Sequence, residues 1–294
     1  MRKLFRCANT VSAMPASPTA APGARSADRY LSADGARLRY RDEGEGPPVV
    51  LVHGWTLDLE MWDPQVEALR SAFRLVRLDR RGHGQSGGVP APGHDALDLA
   101  ALCRHLGLAR VALLGMSQGA RGVLGFVAAD PARVSCLVLD GVPDFDLHPG
   151  AEDDVPIAHY RSLARSAGID AFRRAWAAHP LMRLRTTDPH RRALLQAMID
   201  RYPARDLLQE AVNQEPSAGA DPFETFRVPA LLINGACDLP RRLEAAARLG
   251  RRLPAAEHAL VPDAGHLPNL DNPGRYEALC RAFLTRHATV ATSP

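Results

Sequence analysis

Lysine is almost absent from this chain of 294 residues: Lys3 is the only one, and arginine supplies nearly all the positive charge. The arginines are scattered, which points to coding bias and leaves no basic stretch. A formal net charge of +3 is small for the length, so neither nucleic acid nor a membrane is expected as a partner. Cysteine is also sparse. Cys7, Cys103, Cys136, Cys237 and Cys280 are odd in number, widely spaced and without a Cys-x-x-Cys pair, which argues against a disulfide framework or a zinc site. That usage fits a reducing, cytoplasmic setting. No apolar run approaches the ~20 residues that span a bilayer. Residues 1–28 begin with Arg2, Lys3 and Arg6 and continue as an Ala/Ser/Pro/Thr mixture, without the apolar core of a signal peptide. They are expected to be a disordered tail, with Met14 as an alternative start. No internal repeat and no cofactor or metal motif is visible.

What is present is an ordinary globular composition, 46% hydrophobic and 23% charged, long enough for one large domain or a domain with an insertion. Asp34-Gly35 signals a hairpin turn before the alternating Arg37–Arg41. A short, wholly apolar run at 49–52, an apolar run at 111–114 and largely apolar runs at 75–78, 134–139 and 228–234 follow, as expected for buried strands. Helical spacing lies between them, at 60–70, 95–106, 241–253 and 273–285, with a short strand at 258–261. Strands alternating with helices predict a mostly parallel central sheet with helices on both faces, an α/β fold. From about Asp144 to Glu224 the strand runs stop. Helical patterns recur there at 157–167, 170–178, 190–201 and 205–214, punctuated by Pro180, Pro189, Pro203 and Pro216. The expected organisation is a tail at 1–28, a core at 29–143 and 225–290, and a helical cap insertion at 144–224, at the carboxyl edge of the sheet where ligands bind in such folds.

The stretch around which the rest is organised is Val111-Ala-Leu-Leu-Gly115-Met116-Ser117-Gln118-Gly119-Ala120. A strand that ends in Gly-x-Ser-x-Gly and runs into a helix has the pattern of a nucleophile elbow, in which the turn lifts the serine oxygen clear of the sheet. Glycines at 115 and 119 would relieve crowding against the neighbouring strand and helix. Further motifs stand at strand ends: His53-Gly54-Trp55, Asp79-Arg80-Arg81-Gly82-His83-Gly84-Gln85-Ser86, Asp238 after the 228–234 run, and Gly265-His266. Together, and in this order, they resemble the α/β-hydrolase fold superfamily, specifically its capped serine hydrolases, from about Tyr30 to Leu284.

The resemblance implies a Ser117–His266–Asp238 triad: a serine hydroxyl is a poor nucleophile without a base, and the acid holds the imidazole in the useful tautomer. It also implies an oxyanion hole from the backbone N–H groups of Trp55 and Gln118. His53 and His83 would shape loops. Asp140, which also ends a buried strand, competes with Asp238 for the acid. Trp55, Phe145, Trp176 and Leu267 are candidate substrate-binding residues by position. Serine at the elbow argues against dehalogenases and epoxide hydrolases, whose relatives carry aspartate there. The glycine-proline run of carbon–carbon bond hydrolases and the Ser-Trp-Gly elbow of proline iminopeptidases are missing. The expected activity is hydrolysis of a small-molecule carboxylic ester or lactone without a cofactor, as in carboxylesterases, enol-lactonases and perhydrolases. The alternatives are a non-hydrolytic, receptor-like ligand-binding member of the fold, or a cofactor-free perhydrolase or lyase. Nothing in the sequence bears on the oligomeric state.

Overall fold

The computed structural model describes residues 26–90, 93–145, 154–209, 226–253 and 255–289. Most of the expected tail and parts of the expected cap, 146–153 and 210–224, lie outside the described residues. Eight strands form one sheet: β1 (Arg29–Ala33), β2 (Ala36–Glu43), β3 (Pro48–Val52), β4 (Arg74–Leu78), β5 (Val111–Met116), β6 (Val134–Asp140), β7 (Ala230–Gly235) and β8 (Ala256–Val261). Their spatial order is β1-β2-β4-β3-β5-β6-β7-β8. The β1–β2 hairpin turns at Asp34-Gly35 and is antiparallel, as is β2 against β4; the remaining neighbours are parallel.

The strand period of two divides the core. Val49, Leu51, Ala112, Leu114, Cys136, Val138, Leu231 and Ile233 face one side. Val50, Val52, Leu113, Leu137, Leu139 and Leu232 face the other. The first face is covered by α1 (Asp63–Leu69) and, through Tyr276, Cys280 and Phe283, by the last helix; the second by α2 (His94–His105) and α3 (Gln118–Ala129). Truncating one of these fully buried side chains, such as Leu51→Ala, belongs to a class that costs about 2–5 kcal/mol. The single helix expected over 60–70 is divided into a 3-10 turn, Leu59–Trp62, and α1. Pro64 supplies no N–H and fits only the first turn of a helix, so α1 has to begin beside it.

Between β6 and β7 the chain leaves the sheet and forms α4 (Ile157–Ala167), α5 (Ile169–Ala177), α6 (Pro189–Arg201) and α7 (Arg205–Leu208). The helix expected over 205–214 is a single turn as far as the described residues go. Gly168, at φ 87°, makes the sharp corner between α4 and α5. Asp188 starts α6 by accepting the N–H groups of His190 and Arg191. The apolar faces of these helices, Tyr160, Phe172, Trp176, Met198 and Tyr202, continue the first core face without a break. The chain then completes α8 (Pro240–Arg252), the short α9 (Pro268–Asp271) and α10 (Pro273–His287). Among the described residues no helix is long and apolar enough to cross a membrane. Because β3 has β4 on one side and β5 on the other, the connections diverge there, and a crevice opens beyond the carboxyl ends of β3 and β5.

Candidate active site

Ser117 stands at that crevice, between β5 and α3. Its backbone is at φ 50°, ψ −118°, a conformation that costs a non-glycine residue on the order of 1–3 kcal/mol. Its N–H donates to Asp140 O at 2.7 Å, which pins the turn to the end of β6. A Cβ on Gly119 would come within 2.5 Å of the Val52 and His53 carbonyl oxygens, so glycine is required where the elbow passes β3.

His266 arrives on the loop after β8 and Asp238 on the loop after β7, and backbone bonds join the two loops. Ala236 N–H donates to Val261 O and Cys237 N–H to Ala264 O, each at 2.8 Å. The result is a chain of hydrogen bonds: Ser117 Oγ lies 3.2 Å from His266 Nε2, and His266 Nδ1 lies 3.0 Å from Asp238 Oδ2. Asp238 Oδ1 also accepts the Leu239 N–H at 2.8 Å. Burial alone would raise the Asp238 pKa; the charge and hydrogen bond of His266, the Leu239 N–H and Arg242 outweigh it and hold the carboxyl below its ordinary value.

Asp140, the competing acid, is placed differently. It is fully buried, neither carboxyl oxygen has a hydrogen-bond partner at regular geometry, and the neighbouring groups are Asp238 and the Tyr276 hydroxyl. Burial first, and the Asp238 charge second, push its pKa well up. The next residue, Gly141, lies flat against the imidazole: a Cβ there would meet His266 Cε1 at 2.8 Å and Nδ1 at 3.0 Å. Sequence reasoning gave Gly141 no role, and only its place after a strand-ending aspartate could have drawn attention to it.

The two N–H groups expected to form an oxyanion hole, those of Trp55 and Gln118, have no acceptor among the described residues. The Gln118 side chain is turned away from the serine, its Oε1 accepting from Arg80 Nη1 at 2.8 Å. His53 Nε2 accepts the Arg80 N–H at 2.9 Å while Nδ1 donates to Gly54 O at 2.8 Å, an arrangement that assigns the neutral tautomer. Burial, with His83 and Arg80 nearby, drives the His53 pKa far down. Burial and Arg80 likewise lower His83 to about 4. Both are buried as neutral rings; His53 ties its loop to that of Arg80, while His83 Nδ1 bonds Arg81 O at 3.0 Å within its own loop.

The cavity at the serine is small, about 30 Å³, and Trp55, Met116, Trp176, Met182 and Arg242 wall it beside Ser117 and His266. Two of the four positional candidates for substrate contact therefore lie here, and two do not. Phe145 packs against the opposite core face under the Arg121 guanidinium, 4.9 Å from its ring centre. Leu267 turns into the core and is 1% exposed. Each follows a motif in sequence, but packing aims its side chain away from the cavity. Arg242, in the first turn of α8, is a wall residue that the sequence did not single out; its guanidinium is held by the carboxylate of Asp154.

The inserted helices reach the same loops through side chains. Trp176 Nε1 donates to Thr56 Oγ1 at 2.6 Å, and Trp55 Nε1 to Asp206 Oδ2 at 2.7 Å. Arg201 pairs with Asp58 at 2.5 Å and Glu60 at 2.7 Å.

The family model for the alpha/beta hydrolase fold matches residues 47–273. The chain belongs to that family. A pimeloyl-[acyl-carrier protein] methyl ester esterase from Nitrosomonas europaea is 30% identical over 261 residues, 82% of this chain and 97% of that protein. A non-heme haloperoxidase from Rhodococcus erythropolis is 41% identical over 116 residues, a match that spans only 42% of that protein. Among solved structures, the enol-lactonase from Burkholderia xenovorans LB400 superposes with a TM-score of 0.73 at 28% identity, covering 87% of this chain and all of that one.

Proposed function

We propose that this chain is a serine hydrolase that cleaves a carboxylic ester or lactone through an acyl-enzyme on Ser117. The observation that carries this reading is the relay from Ser117 Oγ to His266 Nε2 and from His266 Nδ1 to Asp238, at 3.2 and 3.0 Å. Ser117 Oγ attacks the acyl carbon and passes its proton to His266 Nε2. The negative charge on the former carbonyl oxygen is received by the Trp55 and Gln118 N–H groups, worth about 3–4 kcal/mol per donor in the transition state. When the bond to the leaving oxygen breaks, His266 returns the proton to it. Water then attacks the acyl-enzyme, gives a proton to His266, and Ser117 leaves with that proton, so the net change is addition of one water. Asp238, held ionised, keeps Nδ1 protonated and stabilises the imidazolium. The inserted helices act as a cap that closes the small cavity and sets which acyl groups enter, and the substrate is a small molecule.

Names of relatives support the ester and lactone readings alike, through the methyl ester esterase and the enol-lactonase. The likeness to a haloperoxidase over 116 residues favours one second reading, in which hydrogen peroxide replaces water as the acceptor. Peroxide-dependent formation of peracid from acetate distinguishes it. The primary reading is tested with a fluorophosphonate probe and a panel of short p-nitrophenyl esters and lactones. Parent protein should be labelled, and Ser117→Ala should lose labelling and drop kcat on the order of 10⁴-fold or more. Undiminished turnover in that variant would overturn it.

A further inference from the structure

On the far side of the Asp238 and His266 loops lies a second cavity, about 900 Å³, between those loops and the cap. Cys237, Leu239 and Gly265 form one wall; the segment Pro180–Arg185 and the adjoining face of α6 form the other. Three arginines, Arg183, Arg185 and Arg192, line it, and among the described residues Asp263 is the single lining acid. All three arginines are exposed, and none is ion-paired among the described residues; Arg192 uses only its Nε, on Thr186 O at 2.7 Å. Elsewhere the guanidinium groups that border the site are neutralised: Arg80 by Asp95, Arg81 by Asp98, Arg201 by Asp58, Arg242 by Asp154. Arg29, Arg104, Arg110 and Arg251 are also exposed without an ion pair among the described residues, so what sets Arg183, Arg185 and Arg192 apart is that they share one concavity.

The cleft is also held in register with the candidate site. Asp271, 8% exposed, accepts the N–H of Arg185 at 2.6 Å and of Thr186 at 3.0 Å with one carboxyl oxygen. Its other oxygen accepts the N–H of Gly265, next to His266, at 2.8 Å. Met182 lines both cavities. An unbranched thioether is the kind of partition that can swing aside. The cavity at Ser117 is about 30 Å³, against about 900 Å³ for the second one.

We infer that the cleft receives the anionic end of the substrate, a carboxylate or phosphate on an apolar chain, which passes Met182 to place its ester at Ser117. The apolar stem lies along Met182, Leu184 and Leu239, and the anion meets the arginine forks, whose planar donors suit either oxyanion. This inference rests on the proposed ester hydrolysis.

Its test compares methyl hydrogen adipate and methyl 5-phosphonopentanoate with neutral methyl hexanoate, in the parent and in an R183Q/R185Q/R192Q variant. The parent should favour the charged esters through a lower KM. The variant should raise KM for them by about tenfold, the scale of losing a charge-assisted hydrogen bond, and leave methyl hexanoate unchanged within about twofold. Which charged ester loses more identifies the anion. Equal effects on charged and neutral esters, or no preference in the parent, overturn the inference. Titration calorimetry of adipate and of inorganic phosphate into Ser117→Ala protein supplies a readout independent of turnover. Binding of either anion that disappears in the triple variant supports the cleft, and binding of neither overturns it. Fluorophosphonate labelling separates the two layers: an unlabelled parent means the hydrolase reading has failed, whereas a labelled parent without charge preference means that only the cleft has.

Discussion

Backbone holds the sheet side of the site: Ser117 N–H on Asp140 O, Cys237 N–H on Ala264 O, and Gly119 against the carbonyls of Val52 and His53. The helices inserted between β6 and β7 are held there by side chains: Trp176 on Thr56, Asp206 on Trp55, and Arg201 on Asp58 and Glu60. On the proposed function, the difference separates chemistry from access. Backbone bonds between buried strands leave little freedom, which suits three groups that must meet within a few tenths of an ångström. Side-chain tethers at a helix surface can be exchanged without disturbing the sheet, which suits the proposed role of these helices in selecting substrates. The two regions meet at Trp55-Thr56, where the proposed oxyanion loop belongs to the sheet by its backbone and to the cap by its side chains.

The comparison breaks most sharply at the acid. Asp238→Asn should leave Ser117 in place but favour the wrong imidazole tautomer, lowering kcat by about 10³–10⁴-fold near neutral pH. Asp140→Asn should stay within about tenfold of the parent, since Asp140 makes no hydrogen bond to the imidazole. Steady-state kinetics on variants with matching circular dichroism checks both; a crippled Asp140→Asn beside an active Asp238→Asn would move the acid to position 140. A smaller effect is expected at the seam. Trp176→Phe keeps an aromatic ring but removes the donor to Thr56 together with part of the buried indole volume, leaving a buried hydroxyl short of a partner. The rate of fluorophosphonate labelling should fall by about tenfold while the labelled residue remains Ser117. Labelling at the parent rate would show that the cap does not support the oxyanion loop.

The mildest effect is on stability. The Asp140 pKa is raised well above 3.8 in the folded chain, so the fold retains a proton that the unfolded chain has lost. The stability linked to that proton is complete below pH 3.8 and declines as pH rises toward the folded-state pKa, by at most ~1.4 kcal/mol per pH unit. Asparagine carries no such proton. In urea unfolding at pH 5, 7 and 8.5, Asp140→Asn should therefore gain on the parent as pH rises. A difference independent of pH would mean that Asp140 is ionised in the fold.

Why the sheet was readable and the seam was not follows from the same contrast. The elbow announces itself because its steric demand falls on its immediate neighbours, Gly115 and Gly119, and buried strands declare themselves by short, largely apolar runs. The division of the 60–70 helix was also written in the chain, at Pro64, but apolar spacing hid it. Phe145 and Leu267 stand next to motifs, but the direction of a side chain is decided by packing that neighbours in sequence do not report. Trp55 and Asp206 are 151 positions apart, and Trp176 and Thr56 are 120 apart. Pairs at that distance leave no local pattern, and Arg242 looks like every other arginine until the fold sets it beside Ser117.

The central claim, that Ser117 carries the acyl group, is tested most directly by trapping it. Parent protein mixed with a p-nitrophenyl ester and quenched in acid within the first turnover should show, by peptide mass, one acyl group on the peptide containing Ser117, together with a burst of p-nitrophenolate. Both should be absent from Ser117→Ala. Sustained ester turnover with no acylated peptide, or acylation at another residue, would contradict the account.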